Sequence, residues 1–108
     1  SIETADGGYW HAIMHRREED FSNSKYWYRR VSEHEIFPEL VKQNHQVVEQ
    51  NNQLHAVVEN DKWSPFVFVD LCEHALQERG EIERACQRVQ QIEWQLLFDH
   101  CYRKAING

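Results

Sequence analysis

The chain has 108 residues, 41% apolar and 28% charged, with four Gly and two Pro; that is one globular domain, not a disordered or fibrous chain. A net charge of -6 argues against a nucleic-acid binder that works through bulk charge, although a local basic patch can still hold a small anion. No apolar run reaches the length of a membrane span and no signal peptide is visible, so no membrane partner is expected.

Few turn residues beside many Glu, Gln, Arg and Leu predict an all-α fold. In chain order, "TADGG" (4–8) reads as a turn, because Gly7 and Gly8 take dihedrals other residues avoid. A helix is expected from about Tyr9 to Glu18 or Glu19. A second helix starts at Ser22 or Asn23 as N-cap and carries Tyr26 to Val31 in its body. Ser32 and Glu35 have the spacing of a capping box, and Pro38 suits a first helical turn.

Between Glu39 and Asn60, the residues Leu40, Val41, Val47, Val48, Leu54, Val57 and Val58 recur at helical spacings. The spacing predicts helix broken near Asn44, with two short strands around "QNN" as the alternative. Ser64-Pro65 is an N-cap followed by a first-position proline, so the next helix runs from Pro65 to about Arg79 and ends at Gly80 in a left-handed cap. The last helix runs from Glu81 to about Ala105, with Ile82, Ala85, Cys86, Val89, Ile92, Leu96 and Leu97 as its apolar row. The expected architecture is a compact single domain of four to six helices, the two long C-terminal ones packed antiparallel. Cys72, Cys86 and Cys101 match no zinc spacing and read as reduced thiols, which points to a cytoplasmic protein.

The residues that could carry chemistry concentrate in "YWHAIMHRREEDFSNSKYWYRR" (9–30). His11 and His15 are four apart and should share one helix face, the spacing of a paired metal ligand. "HAIMH" lacks the Glu that serves as general base in zinc proteases, so a single divalent metal held by His11 and His15 is one option and hydrogen-bonded core-edge histidines the other. Arg16, Arg17, Lys25, Arg29 and Arg30 are interleaved with Tyr9, Trp10, Tyr26, Trp27 and Tyr28, forked cations beside flat rings. Glu93 falls on the apolar row of the last helix, where a carboxylate is costly unless paired, and His100 follows two turns later. Asp70, Glu73 and His74 either form a solvated face or bring Glu73 to the same site. A di-metal carboxylate centre is not expected, because the Glu-x-x-His repeat is absent. Neither a nucleophile elbow nor a phosphate loop occurs.

"YWHAIMHRREEDFSNSKYWYRRV", followed by H-x-x-F at His34 to Phe37, then "WSPFVFVDLCE" and "IEWQLLFDHC", resembles a family of uncharacterised bacterial and fungal proteins across most of the chain outside residues 39–62. The resemblance implies further sequence, with another helix, ahead of "IET", and a Gly-His-Pro type of turn where this chain has "SEHEIF". It implies no residue roles.

Three functional expectations follow. The first is a pocket for a small anionic or polyhydroxylated ligand, built from His11, His15, Arg16, Arg17, Lys25, Trp27 and Arg29 with Glu73 or Glu93 balancing charge. The second is a structural or protein-interaction module in which the same residues form a buried ion-pair network. The third is a mononuclear metal-dependent enzyme. An apolar face left uncovered by a missing segment would allow a homo-oligomer.

Overall fold

Thr4 opens the first helix of the computed structural model, which describes residues 4–107. Its hydroxyl accepts a hydrogen bond from the Gly7 N–H at 3.1 Å, so α1 spans Ala5–Arg17 and includes both glycines expected in a turn. Gly8 is selected by packing: a Cβ there would sit 3.2 Å from Val31 and 3.7 Å from Trp27. The bare backbone lets α2 (Phe21–Val31) lie close along α1. The N-cap of α2 is Asp20, whose side chain accepts from the Asn23 N–H, in place of the expected Ser22 or Asn23.

The Ser32–Glu35 capping box does not form. Ser32 ends α2 with a left-handed φ of 63°, and α3 (Phe37–Gln43) starts behind Ile36 with no side-chain cap and Pro38 in its first turn. The interruption at Asn44 occurs as predicted. The buried Asn44 amide donates to the Leu40 carbonyl at 2.9 Å, and α4 (His45–Gln50) resumes after it. Beyond Gln50 the helical spacing misleads. A 3-10 helix covers Asn52–Val57, and strands β1 (Val58–Glu59) and β2 (Lys62–Trp63) pair antiparallel with Val58 opposite Trp63. Their turn is at Asn60 and Asp61, both left-handed (φ 53° and 60°), which is hairpin chemistry that Asn and Asp tolerate.

Ser64 caps α5 (Pro65–Glu78), and Arg79 and Gly80, both left-handed, turn the chain into α6 (Glu81–Asn107). The described residues are 81% helical, with only this two-strand sheet among them. The core gathers Tyr9, Ala12, Tyr28, Leu40, Leu54, Val57, Phe68, Val69, Val89 and Leu97, all shut off from solvent. The α6 row buries Ile82, Ala85, Cys86, Val89 and Leu97 as expected, and Glu93 with them. No described helix is long and apolar enough to cross a membrane.

Candidate functional site

Arg16 and Glu93, both fully buried, face one another across α1 and α6. Arg16 Nη2 donates to Glu93 Oε1, and Arg16 Nη1 donates to the Tyr28 hydroxyl at 2.9 Å. The other carboxylate oxygen, Oε2, accepts from the Tyr9 hydroxyl at 2.5 Å and from the Tyr28 hydroxyl at 3.2 Å. Three helices thus meet at one carboxylate that receives hydrogen bonds from three side chains. Burial and the Glu93 charge push the Tyr9 phenol well above its ordinary value. Tyr28 is raised as well, by burial and Glu93 against the opposing pull of Arg16. Both phenols therefore keep their protons and serve as donors. Burial alone would lower Arg16, but Glu93 reverses that and the guanidinium stays charged. Its plane also rests 5.0 Å from the Phe68 ring. Only its Nε–H lacks an acceptor. The arrangement is closed to solvent and internally neutral, which suits holding helices together more than handling a substrate.

A second set lies where the start of α1, the α2–α3 loop and the end of α6 meet. Asp6 Oδ1 is 2.7 Å from His34 Nε2 and 3.2 Å from His100 Nε2, and Lys104 donates to Asp6 Oδ2 at 2.9 Å. These three ligand-type residues are the one such group among the described residues. The donor chemistry opposes a metal ion, however. The Ile36 N–H donates to His34 Nδ1 at 3.1 Å, so the neutral ring carries its proton on Nε2 and donates that N–H to Asp6 in a hydrogen bond. A metal on Nε2 needs the opposite tautomer, with a proton on Nδ1 facing the Ile36 N–H. The set is organised to share protons. Burial lowers His34, and hydrogen bonding to Asp6 only partly restores it. For Asp6, burial pushes upward, but the hydrogen bonds from Lys104 and His34 outweigh it and hold the carboxyl below its ordinary value.

The other sequence candidates do not converge. His11 and His15 share a face as predicted, but their rings stack 6.4 Å apart, His11 lies flat on Trp27 at 4.5 Å, and His15 leans toward Asp20 at 3.7 Å. Asp20 reaches only His15, and among the described residues the two histidines form no cluster of three ligand atoms close enough to share an ion. Lys25 pairs with Asp70, Arg30 sits over the rings of Tyr26 and Trp27, and Glu73 is exposed. Arg17 is exposed beside a cleft of about 480 Å³ between α1 and α6, walled by Trp94 and four glutamines.

Arg29 belongs to a different and larger cleft, of about 550 Å³, between α2, α3 and the β-hairpin. Buried Tyr28, His34, Phe37 and Trp63 line it, with half-buried Phe66. Exposed Arg29, Glu33, Asp61 and Lys62 also line it, and none of these four side chains has an ion-pair or hydrogen-bond partner among the described residues. Two cations and two carboxylates thus ring an aromatic hollow. Two of its lining residues, Ser32 and Asp61, are left-handed without being glycine, the kind of local strain that recurs at binding sites. The Trp63 indole N–H is buried with no acceptor. His34 reaches this cleft, but both its nitrogens are engaged by Asp6 and Ile36.

Sequence reasoning missed Asp6, His34 and Lys104, together with Trp63 and the hairpin. Reading "TADGG" as a turn hid Asp6, and helical spacing hid the hairpin; the "ND" pair at 60–61 was the available signal for it. No protein-family model, curated protein or solved structure matches this chain, so no activity is brought to the site by likeness.

Proposed function

We propose that the cleft between α2, α3 and the hairpin binds a small polyhydroxylated, sugar-like ligand. The observation that carries this reading is the balanced set of unpartnered charges around aromatic walls. A hydroxyl both donates and accepts, so it can answer Arg29 and Lys62 as well as Glu33 and Asp61, whereas an anion meets two carboxylates. The flat faces of Phe37, Trp63 and Phe66 suit the apolar side of a sugar ring. Of the residues expected to bind a ligand, Arg29 alone takes part. Arg16 and Glu93 are engaged elsewhere.

The test is an NMR titration that follows the Trp63 indole N–H, assigned through its loss in Trp63→Phe. The probes are neutral mono- and disaccharides, cyclic polyols, sugar phosphates and dicarboxylates. Saturable shifts with neutral probes, weakened at least several-fold by Arg29→Ala or Glu33→Ala, are expected. Shifts caused by anions alone overturn the sugar-like reading, and anion shifts at Trp94 move the site to the cleft beside Arg17. No response to any probe removes the cleft as a binding site.

A second reading, a structural module, has its own supporting observation: Arg16 commits both Nη groups to Glu93 and Tyr28. It predicts that changes at Arg16 lower the melting temperature by several degrees while changes at Arg29 leave it unmoved.

A further inference from the structure

Cys72 on α5 and Cys86 on α6 lie equally far in sequence from Arg79, at the turn that folds one helix back on the other. The antiparallel pairing therefore places both side chains on one small hollow, where each thiol shifts the other's hold on its proton. Neither sulfur is in a disulfide. Both residues are almost wholly buried, at 6% and 2% exposure, yet both line a small hollow of about 220 Å³ that opens between α1, α5 and α6. Two cations, Arg16 and Arg17, and two carboxylates, Glu19 and Glu83, line the same hollow. Cys101 is half-buried on α6, more than four turns beyond Cys86, and does not line it.

We propose that Cys72 and Cys86 form a reactive dithiol that a small hydroperoxide, admitted through this hollow, oxidises to a disulfide joining α5 and α6. The two sulfurs have unequal roles. The hydrogen bond from Cys72 lowers the Cys86 thiol; burial opposes this and the Arg16 charge adds to it. Cys72 is raised, first by its bond to Cys86 and then by burial, so it keeps its proton. Cys86 is the attacking thiolate and Cys72 the resolving thiol.

In the first step the Cys86 thiolate attacks the distal peroxide oxygen. An S–O bond forms, the O–O bond breaks, and the alkoxide takes a proton from water to leave as alcohol. In the second step the Cys72 sulfur attacks the Cys86 sulfenic acid. The S–S bond forms, the S–O bond breaks, and hydroxide leaves with the Cys72 proton as water. The two sulfurs are oxidised by two electrons in all, and the peroxide is reduced.

Hydrogen peroxide is the probe, applied to the protein without reductant and read by intact mass, thiol titration and non-reducing peptide mapping. The expected product is a single chain that has lost two hydrogens, keeps one free thiol at Cys101, and yields one cross-linked peptide pair containing Cys72 and Cys86. In Cys72→Ser, which keeps a donor beside Cys86 but cannot close the disulfide, the same treatment leaves a sulfenic acid on Cys86 that dimedone traps. A disulfide that includes Cys101, a disulfide between two chains, equal loss of all three thiols, or no loss at all overturns the proposal. Dimedone labelling of Cys72 in Cys86→Ser, as strong as that of Cys86 in Cys72→Ser, overturns the assigned order.

Discussion

Two acid-base networks tie α1 to α6, and they differ in what surrounds them. The Arg16–Glu93–Tyr9–Tyr28 set is sealed, with every member buried and three helices closing over one carboxylate. The Asp6–His34–His100–Lys104 set lies at the edge, where Lys104 is largely exposed and only His34 is fully inside. In the sealed set, the cost of removing the charges from water is already spent, so loss of one partner strands the other. In the edge set, water replaces a lost partner, and the protonation state follows the solution. The same kinds of side chain therefore give a rivet in one place and a titratable contact in the other.

That contrast can be broken by experiment. Glu93→Ala leaves the Arg16 guanidinium buried without its counter-charge and should cost about 3–5 kcal/mol in denaturant unfolding. A loss no greater than that of Asp6→Ala would erase the distinction between the networks. Tyr9→Phe removes one donor to a buried carboxylate at nearly constant volume, and about 1.5–3 kcal/mol is expected by the same measurement.

The edge set sharpens the comparison through pH. Folded His34 is held below its ordinary value of 6.5, so the unfolded chain binds more protons there and stability declines as pH falls below that value. Asp6 is held below 3.8, so its contribution is present above that value and is lost on further acidification. Melting temperature against pH should show the upper decline, and His34→Gln should abolish it while leaving the lower one. The smallest effect is expected at the half-exposed Lys25–Asp70 pair, where Lys25→Ala should change stability by less than about 1 kcal/mol.

Ser64-Pro65 and the row from Ile82 to Leu97 made the two C-terminal helices legible in the sequence, because caps and periodicity are local. Glu93 was legible for the same reason: a carboxylate on an apolar row needs a partner. Which arginine answered it was not legible, since Arg16 and Arg17 are neighbours and the face that α1 buries, with Tyr9, Ala12 and Ile13, decides which one turns inward. The cleft was hidden further still. It needs the hairpin at 58–63 and the left-handed end of α2 at Ser32, and neither follows from spacing in the chain. The His11–His15 pair shows the converse case. The spacing was right and the shared face formed, but Trp27 occupies the side where a ligand would need to reach.

The uneven burial of α6 has a dynamic consequence. From Ile82 to Leu97 this helix carries core residues, whereas from Tyr102 to Ile106 every residue is exposed and the Lys104–Asp6 bond is the long-range tie. Trp94, Phe98 and Tyr102 stack in line along its surface between those halves. One continuous helix therefore spans a wide range of opening free energies. Amide hydrogens near Val89 should exchange with solvent only when the whole fold opens, and those near Arg103 should exchange by fraying from the end. The stacked rings lie where the two regimes meet, so their fluorescence would report the position of that boundary as conditions change.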